Sequence, residues 1–152
     1  QKESIMDHYQ NILLAIDFSD DGHYVAQKAK YLADQFNARL HIIHVLDNIP
    51  MPDTPYGTVI SLNEDSSYGL LETEKNKFIQ LSDQLDIAPT RRWMVWGEPQ
   101  QEITRLAAQE RIDLIVVGSH GRHGLAVLMG STAKGVLYQT GCDVLAVHLK
   151  GI

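Results

Sequence analysis

Four glycines and a Ser-Thr pair carry the chemistry that can be read in this chain. Gly118, Gly121 and Gly124 recur every third residue, directly after the apolar run Leu114-Ile115-Val116-Val117. Gly130-Ser131-Thr132 then opens a helical pattern through Ala133, Val136 and Leu137. Glycine removes the Cβ that keeps a ligand off the main chain, and it admits positive φ. The first amides of a helix lack intrahelical partners, and the dipole there favours an anion. These features describe a cradle for phosphate, although a turn that only bends the chain uses the same residues. Two better-defined phosphate motifs are excluded. Lys134 follows Ser131 and Thr132, whereas a P-loop lysine precedes its hydroxyl residue, and the glycine spacing does not match G-x-G-x-x-G.

Asp17 is the second candidate, placed after another buried-type run, where a carboxylate caps a turn or reaches a ligand. Other chemistries lack parts. His41 and His44, and His120 and His123, have no cysteine or carboxylate pattern to complete a tetrahedral metal site, so none is expected. Ser19 and Ser131 have no partner at triad-like positions, so no catalytic residue is assigned. His120 and Arg122 either reach phosphate or face solvent.

Alternating strands and helices must hold these residues. Residues 11–16 read as a buried strand, and the polar run Asp17-Phe18-Ser19-Asp20-Asp21-Gly22 caps a helix with Val25, Ala29, Leu32, Ala33 and Phe36 at helical spacing. Asn37 and Ala38 end that helix. Residues 40–46 form a second strand, parallel to the first through a right-handed crossover. Residues 47–66, with Pro50, Pro52, Pro55 and Gly57, show no sustained period and read as a long loop serving as lid, contact surface or mobile segment. A helix from about residue 67 buries Leu71, Phe78, Leu81 and Leu85 and turns Glu72, Glu74, Lys75 and Lys77 to solvent. Residues 91–96 form an edge strand with Trp93 and Trp96 on opposite faces. Gly97-Glu98-Pro99 opens a helix that buries Ile103, Leu106 and Ala107. The last helix spans residues 131–139, Gly141 ends it, and residues 143–148 form a final strand. Strand-first alternation specifies an α/β domain with a parallel sheet.

The 152 residues support one domain, residues 9–150, with residues 1–8 an N-terminal extension in which Met6 is a candidate native start. Thirteen basic against 19 acidic residues give a net charge of −6 with no basic stripe, which argues against nucleic acid or an anionic membrane as partner. Cys142 stands alone, so no internal disulfide forms; a buried structural thiol in a reducing, cytoplasmic setting is expected. No apolar stretch approaches the roughly 20 residues of a membrane span, and the N-terminal residues carry no signal-peptide pattern.

The segment VVGSHGRHGLAVLMGSTAKGVL, with NILLAIDFSDDG and HIIHVLD before it, resembles the universal stress protein family, in the right order from about Tyr9 to about Lys150. The resemblance implies an α/β fold of the adenine nucleotide alpha hydrolase type, an open five-stranded parallel sheet in the order 3-2-1-4-5 with helices on both faces. The first and fourth strands then meet at the topological switch point, and Asp17 and Gly118 flank one crevice. The resemblance further implies an adenine-nucleotide site, with ATP or AMP as ligand and Mg2+ accompanying ATP. Asp17 would contact the adenosine. Ala15, Val45, Val117 and Gly118 would line the adenine and ribose pocket, Val45 through its backbone. Gly118, Gly121, Gly130, Ser131 and Thr132 would hold the phosphates. Relatives pair through the last strand, which implies a homodimer built on Val144, Leu145, Ala146, Val147 and His148.

One departure bears on the ligand. Nine residues separate the second and third glycines of the family's nucleotide-binding pattern, and eight, Arg122 to Met129, do so here. A nucleotide-free dimeric interaction protein is therefore the alternative, and a slow ATPase the third reading. Adenylating enzymes of related architecture are disfavoured, because residues 17–22 do not spell Ser-Gly-Gly-x-Asp-Ser and His41-Ile42-Ile43-His44 lacks the glycine of His-x-Gly-His.

Overall fold

The computed structural model describes residues 8–18, 22–51, 53–66, 68–121 and 123–149. Six strands form one sheet: β1 Asn11–Ala15, β2 Arg39–Leu46, β3 Thr58–Val59, β4 Arg92–Trp96, β5 Leu114–Gly118 and β6 Asp143–Val147. The helices are α1 Gly22–Phe36, α2 Gly69–Gln84, α3 Pro99–Gln109 and α4 Ser131–Thr140. The order across the sheet is β3-β4-β2-β1-β5-β6. The five longer strands are parallel and lie in the expected order, with β1 between β2 and β5.

Strand periodicity sends alternate residues of β1 to opposite cores. Ile12 and Leu14 join Val25, Ala29, Phe78 and Met94 on one face, beneath α1 and α2. Leu13 and Ala15 join Ile43, Ile103, Ile115 and Leu137 on the other, beneath α3 and α4. A sheet covered on both faces needs apolar residues at consecutive positions, which is why residues 12–15 of β1 and 114–118 of β5 read as unbroken apolar runs. The helix ends follow local chemistry. Glu98 caps α3 by accepting from Gln101 N at 2.8 Å and Gln100 N at 3.3 Å. Gly141, at φ 68°, ends α4.

Three expectations need correction. The sheet has six strands, not five, because the 47–66 connection contributes β3, antiparallel to β4. A bare β4 edge would leave main-chain groups unpaired. Gly57 N donates to Trp96 O at 2.7 Å and Ile60 N to Met94 O at 2.8 Å. Consequently β4 is not the outermost strand. Trp93 and Trp96 do pack on opposite cores, with Trp96 Nε1 donating to Thr54 O at 2.9 Å. Arg91 falls in a short 3-10 turn before the strand.

The third correction concerns α2, whose charged residues are not simply a wet surface. Lys75 is only 4% exposed; its Nζ meets Glu72 Oε2 at 2.6 Å and donates to Glu64 O. Residues of the loop fold over the helix and bury the ammonium between these two oxygens. Glu74 turns inward to His44.

Candidate functional site

The crevice forms where β1 and β5 end side by side. Ala15 and Gly118 are buried at the carboxyl ends of these strands, and Asp17 follows half-buried. Phe18, next in the chain, holds φ at 55°, a left-handed conformation that a bulky residue adopts only under constraint. Its ring stands edge-on to His44 at 4.8 Å. His44 Nδ1 lies 3.1 Å from Ile16 O and Nε2 lies 3.1 Å from Glu74 Oε1. Two acceptors face one ring, so the set is complete when the imidazole carries both protons or the carboxyl carries one. The backbone that presents Asp17 is thereby tied to β2 and α2.

Opposite, the chain leaves Gly118 through a tightly folded loop. Ser119 N donates to Val147 O at 2.9 Å, and Leu149 N donates to Ser119 Oγ at 3.1 Å. Gly121 has φ +103°, and a Cβ there would lie 3.0 Å from Asp17 Oδ2. At Gly124 a Cβ would meet His120 O at 2.5 Å and Gly118 O at 2.9 Å, both main-chain atoms that cannot swing aside. Glycine is required at these two positions by conformation and by space respectively. His123 N donates to Asp17 Oδ2 at 3.3 Å, and the buried His123 ring places Nε2 3.4 Å from Asp47 Oδ2. The loop therefore closes directly onto Asp17.

Asp17, Ala15 and Gly118 line this crevice together with His120, His123 and Gly124, and about 10 Å3 of space remains between them. That is the scale of a single water molecule. Val45 and Val117 lie in the buried core beneath α3 and α4, with Val45 two residues beyond the last β1–β2 pair. Gly130, Ser131 and Thr132 sit at the start of α4 and do not line the crevice. Among the described residues no side chain caps that helix, and Ser131 and Thr132 are exposed. The Cβ position of Gly130 lies 2.4 Å from Gln100 Nε2, so a side-chain amide from α3 covers the glycine. Ser19 and Arg122 fall outside the described residues.

Sequence reasoning singled out His123 only as a weak metal candidate and missed Gln100, Glu74 and Leu149. Nothing local marks them, since their partners lie far along the chain. Among the described residues, no group of three or more His, Cys, Asp or Glu gathers to hold a metal ion. Cys142 is half-buried, and burial followed by the nearby Asp143 and Asp113 charges pushes its thiol up to about 12. No described helix is long and apolar enough to cross a membrane.

Known proteins share this fold. Two Coxiella burnetii proteins, universal stress protein A homologs 2 and 1, are 37% and 35% identical to the chain, covering 96% and 94% of it and 99% of each relative. A Methanocaldococcus jannaschii protein whose structure was used to assign its biochemical function superposes with a TM-score of 0.64 at 24% identity, over 95% of this chain and 99% of that one. A universal stress protein solved in complex with cAMP superposes with a TM-score of 0.61 at 24% identity, over 93% and 99%. These superpositions establish the fold. Residues 8–148 match the Universal stress protein family, and with relatives above 30% identity along nearly their whole length, the chain belongs to that family.

Proposed function

We propose that this protein is a stress-response module that binds an adenine nucleotide, ATP or AMP, and works as a cytoplasmic homodimer. The observation that carries the reading is the meeting of Asp17 with the glycine loop across the switch point, at the carboxyl end of a parallel sheet. A family member of the same fold was solved with the adenine nucleotide cAMP, which supports that ligand class. The residues suit the group chemically. Asp17 offers a carboxylate to ribose hydroxyls or the adenine edge, Ala15 and Gly118 put no bulky side chain into the crevice, and the uncapped first turn of α4 offers amides to phosphate. Mg2+ would ride on the phosphates of ATP. Access requires residues 119–124 to lift from Asp17, because the crevice is closed.

That closure, with the shortened glycine spacer, favours the nucleotide-free dimer as the second reading. Edge strand β6 supports the dimer in both readings, since Val144 and Leu145 are exposed on it. The deciding experiment isolates the protein without added nucleotide, denatures it, runs the supernatant by anion exchange, and titrates intact protein with ATP and Mg2+. Co-purified adenine nucleotide or micromolar affinity, lost on Gly130→Leu, supports the module. Neither signal at millimolar nucleotide overturns it in favour of the nucleotide-free dimer.

A further inference from the structure

The amino-terminal end of the sheet, remote from the crevice, carries a second concave site. Asn11 begins β1 and pairs with Arg39, the first residue of β2, and His41 stands two residues further on. Arg91 precedes β4, and Arg111 lies in the turn between α3 and β5. With Glu110, these residues line an open hollow of about 440 Å3. Three guanidinium groups against one carboxylate leave two positive charges, in a chain whose net charge is −6.

Asn11 organises the site. Its Oδ1 accepts from Arg39 Nε at 3.1 Å and lies 3.3 Å from His41 Nε2, while its Nδ2 donates to Arg111 O at 3.5 Å. Arg91 Nε donates to Leu40 O at 3.3 Å. Arg39 and Arg91 are thus anchored through Nε, which leaves their terminal nitrogens for a ligand. Among the described residues, no carboxylate lies within ion-pair distance of any of the three guanidinium groups.

His41 adds an unpartnered imidazole nitrogen beside the arginines. It is 4% exposed, and its Nδ1 is buried with no hydrogen-bond partner among the described residues. Because Asn11 presents an oxygen to Nε2, Nε2 holds the proton of the neutral ring, and Nδ1 is a lone pair in need of a donor. Burial first, then the Arg91 and Arg39 charges, against the weaker opposing effect of Glu110, hold the imidazole down at about 4, so it is neutral at physiological pH.

We propose that this hollow binds inorganic hydrogen phosphate, whose oxygens take the Arg39, Arg91 and Arg111 forks and whose remaining P–OH donates to His41 Nδ1 once the buried ring turns to meet it. Guanidinium groups match phosphate oxygens in paired geometry. At neutral pH inorganic phosphate keeps a proton and sulfate has none, so an unprotonated His41 separates two anions of similar shape and charge. The competing role for the arginines is to neutralise the carbonyl end of α3. That role requires no saturable ligand.

The test follows the His41 ring C–H resonances of the intact protein, identified by their loss in His41→Asn, during titration with sodium phosphate at constant ionic strength and neutral pH. A saturable one-to-one shift is expected, at least tenfold weaker with sodium sulfate. Arg111→Gln should weaken binding about tenfold while leaving the melting temperature unchanged, because the Arg111 side chain holds no partner among the described residues. Arg91→Lys should recover less than half of what Arg91→Gln loses, since an ammonium lacks the fork. A linear, unsaturable response, or equal binding of sulfate, overturns the proposal.

Discussion

Replacing Glu74 tests how the fold holds the segment that presents Asp17. His44 is 4% exposed, and Phe18 and Phe78 flank its ring at 4.8 and 6.3 Å, so water cannot replace a lost partner easily. Glu74→Ala strands one ring nitrogen, and an unsatisfied buried polar group costs about 1–3 kcal/mol. The Glu74 side chain is 25% exposed, so solvent screens the charge and the loss falls nearer about 1.5 kcal/mol. Glu74→Gln retains an acceptor and should lose about 0.5–1 kcal/mol. For a chain of this size the Ala variant should melt about 3–6 °C lower. The sign of the pH dependence follows from the carboxyl. The His44 hydrogen bond, with smaller help from the His44 and Lys77 charges and against burial, holds Glu74 below the ordinary carboxylate range. A depressed folded value stabilises the protein above the unfolded value of about 4.3, and that contribution disappears as the pH falls through the folded value. The gap between wild type and Glu74→Gln should therefore be full near neutrality and close on acidification below about pH 4. Urea denaturation at a series of pH values measures both quantities. An Ala variant within about 0.5 kcal/mol of wild type, or a gap that keeps its size in acid, would refute the tie between α2 and the Asp17 segment.

Three further substitutions probe other parts of the molecule. Gly124→Ala places a Cβ 2.5 Å from His120 O and should cost about 1–3 kcal/mol and abolish nucleotide binding; an unchanged melt and titration would show that the loop relaxes freely. Lys75→Met keeps the stem but loses the contacts to Glu72 and Glu64 O, so amide exchange over residues 60–66 should accelerate several-fold while α2 keeps its protection. Unaltered exchange there would assign the burial of Lys75 to packing alone. Leu145→Glu adds a charge to exposed β6 and should shift sedimentation towards monomer, whereas an identical profile removes the edge strand from the dimer interface.

The sequence made the sheet legible where burial is continuous. Ile12, Leu13 and Leu14, and Leu114 to Val117, have no polar member because both faces are covered, and the resemblance supplied the order that brings Asp17 beside Gly118. Strand β3 was not legible. Two residues carry no period, and Thr58 and Val59 extend only because the β4 edge offers partners. Lys75 read as a surface residue because its type is charged; its burial arises from residues of the loop before α2 closing over the helix, which no helical period encodes. His44 finds Glu74 across 30 positions and His123 finds Asp47 across 76, distances at which single-sequence patterns carry no pairing information. Gln100 meets Gly130 only because α3 packs on α4.

The closed crevice carries a mechanical consequence. If the glycine loop lifts to admit the adenine ring proposed above, the contact of His123 N with Asp17 breaks and the His123 ring moves away from Asp47. Asp47 follows β2 directly and begins the connection that carries β3, so the loop over β4 loses an anchor in the same event. On the other side, Ser119 holds Val147 O through its amide and Leu149 N through its hydroxyl, which ties the moving segment to the end of β6. One displacement therefore reaches both the long loop and the edge strand. Amide exchange with and without ATP should accordingly change at residues 147–149 and 47–60 together, although neither segment need touch the ligand. Exchange that changes only within residues 119–124 would mean that the glycine loop moves alone, and that occupancy of the crevice does not reach the β6 edge.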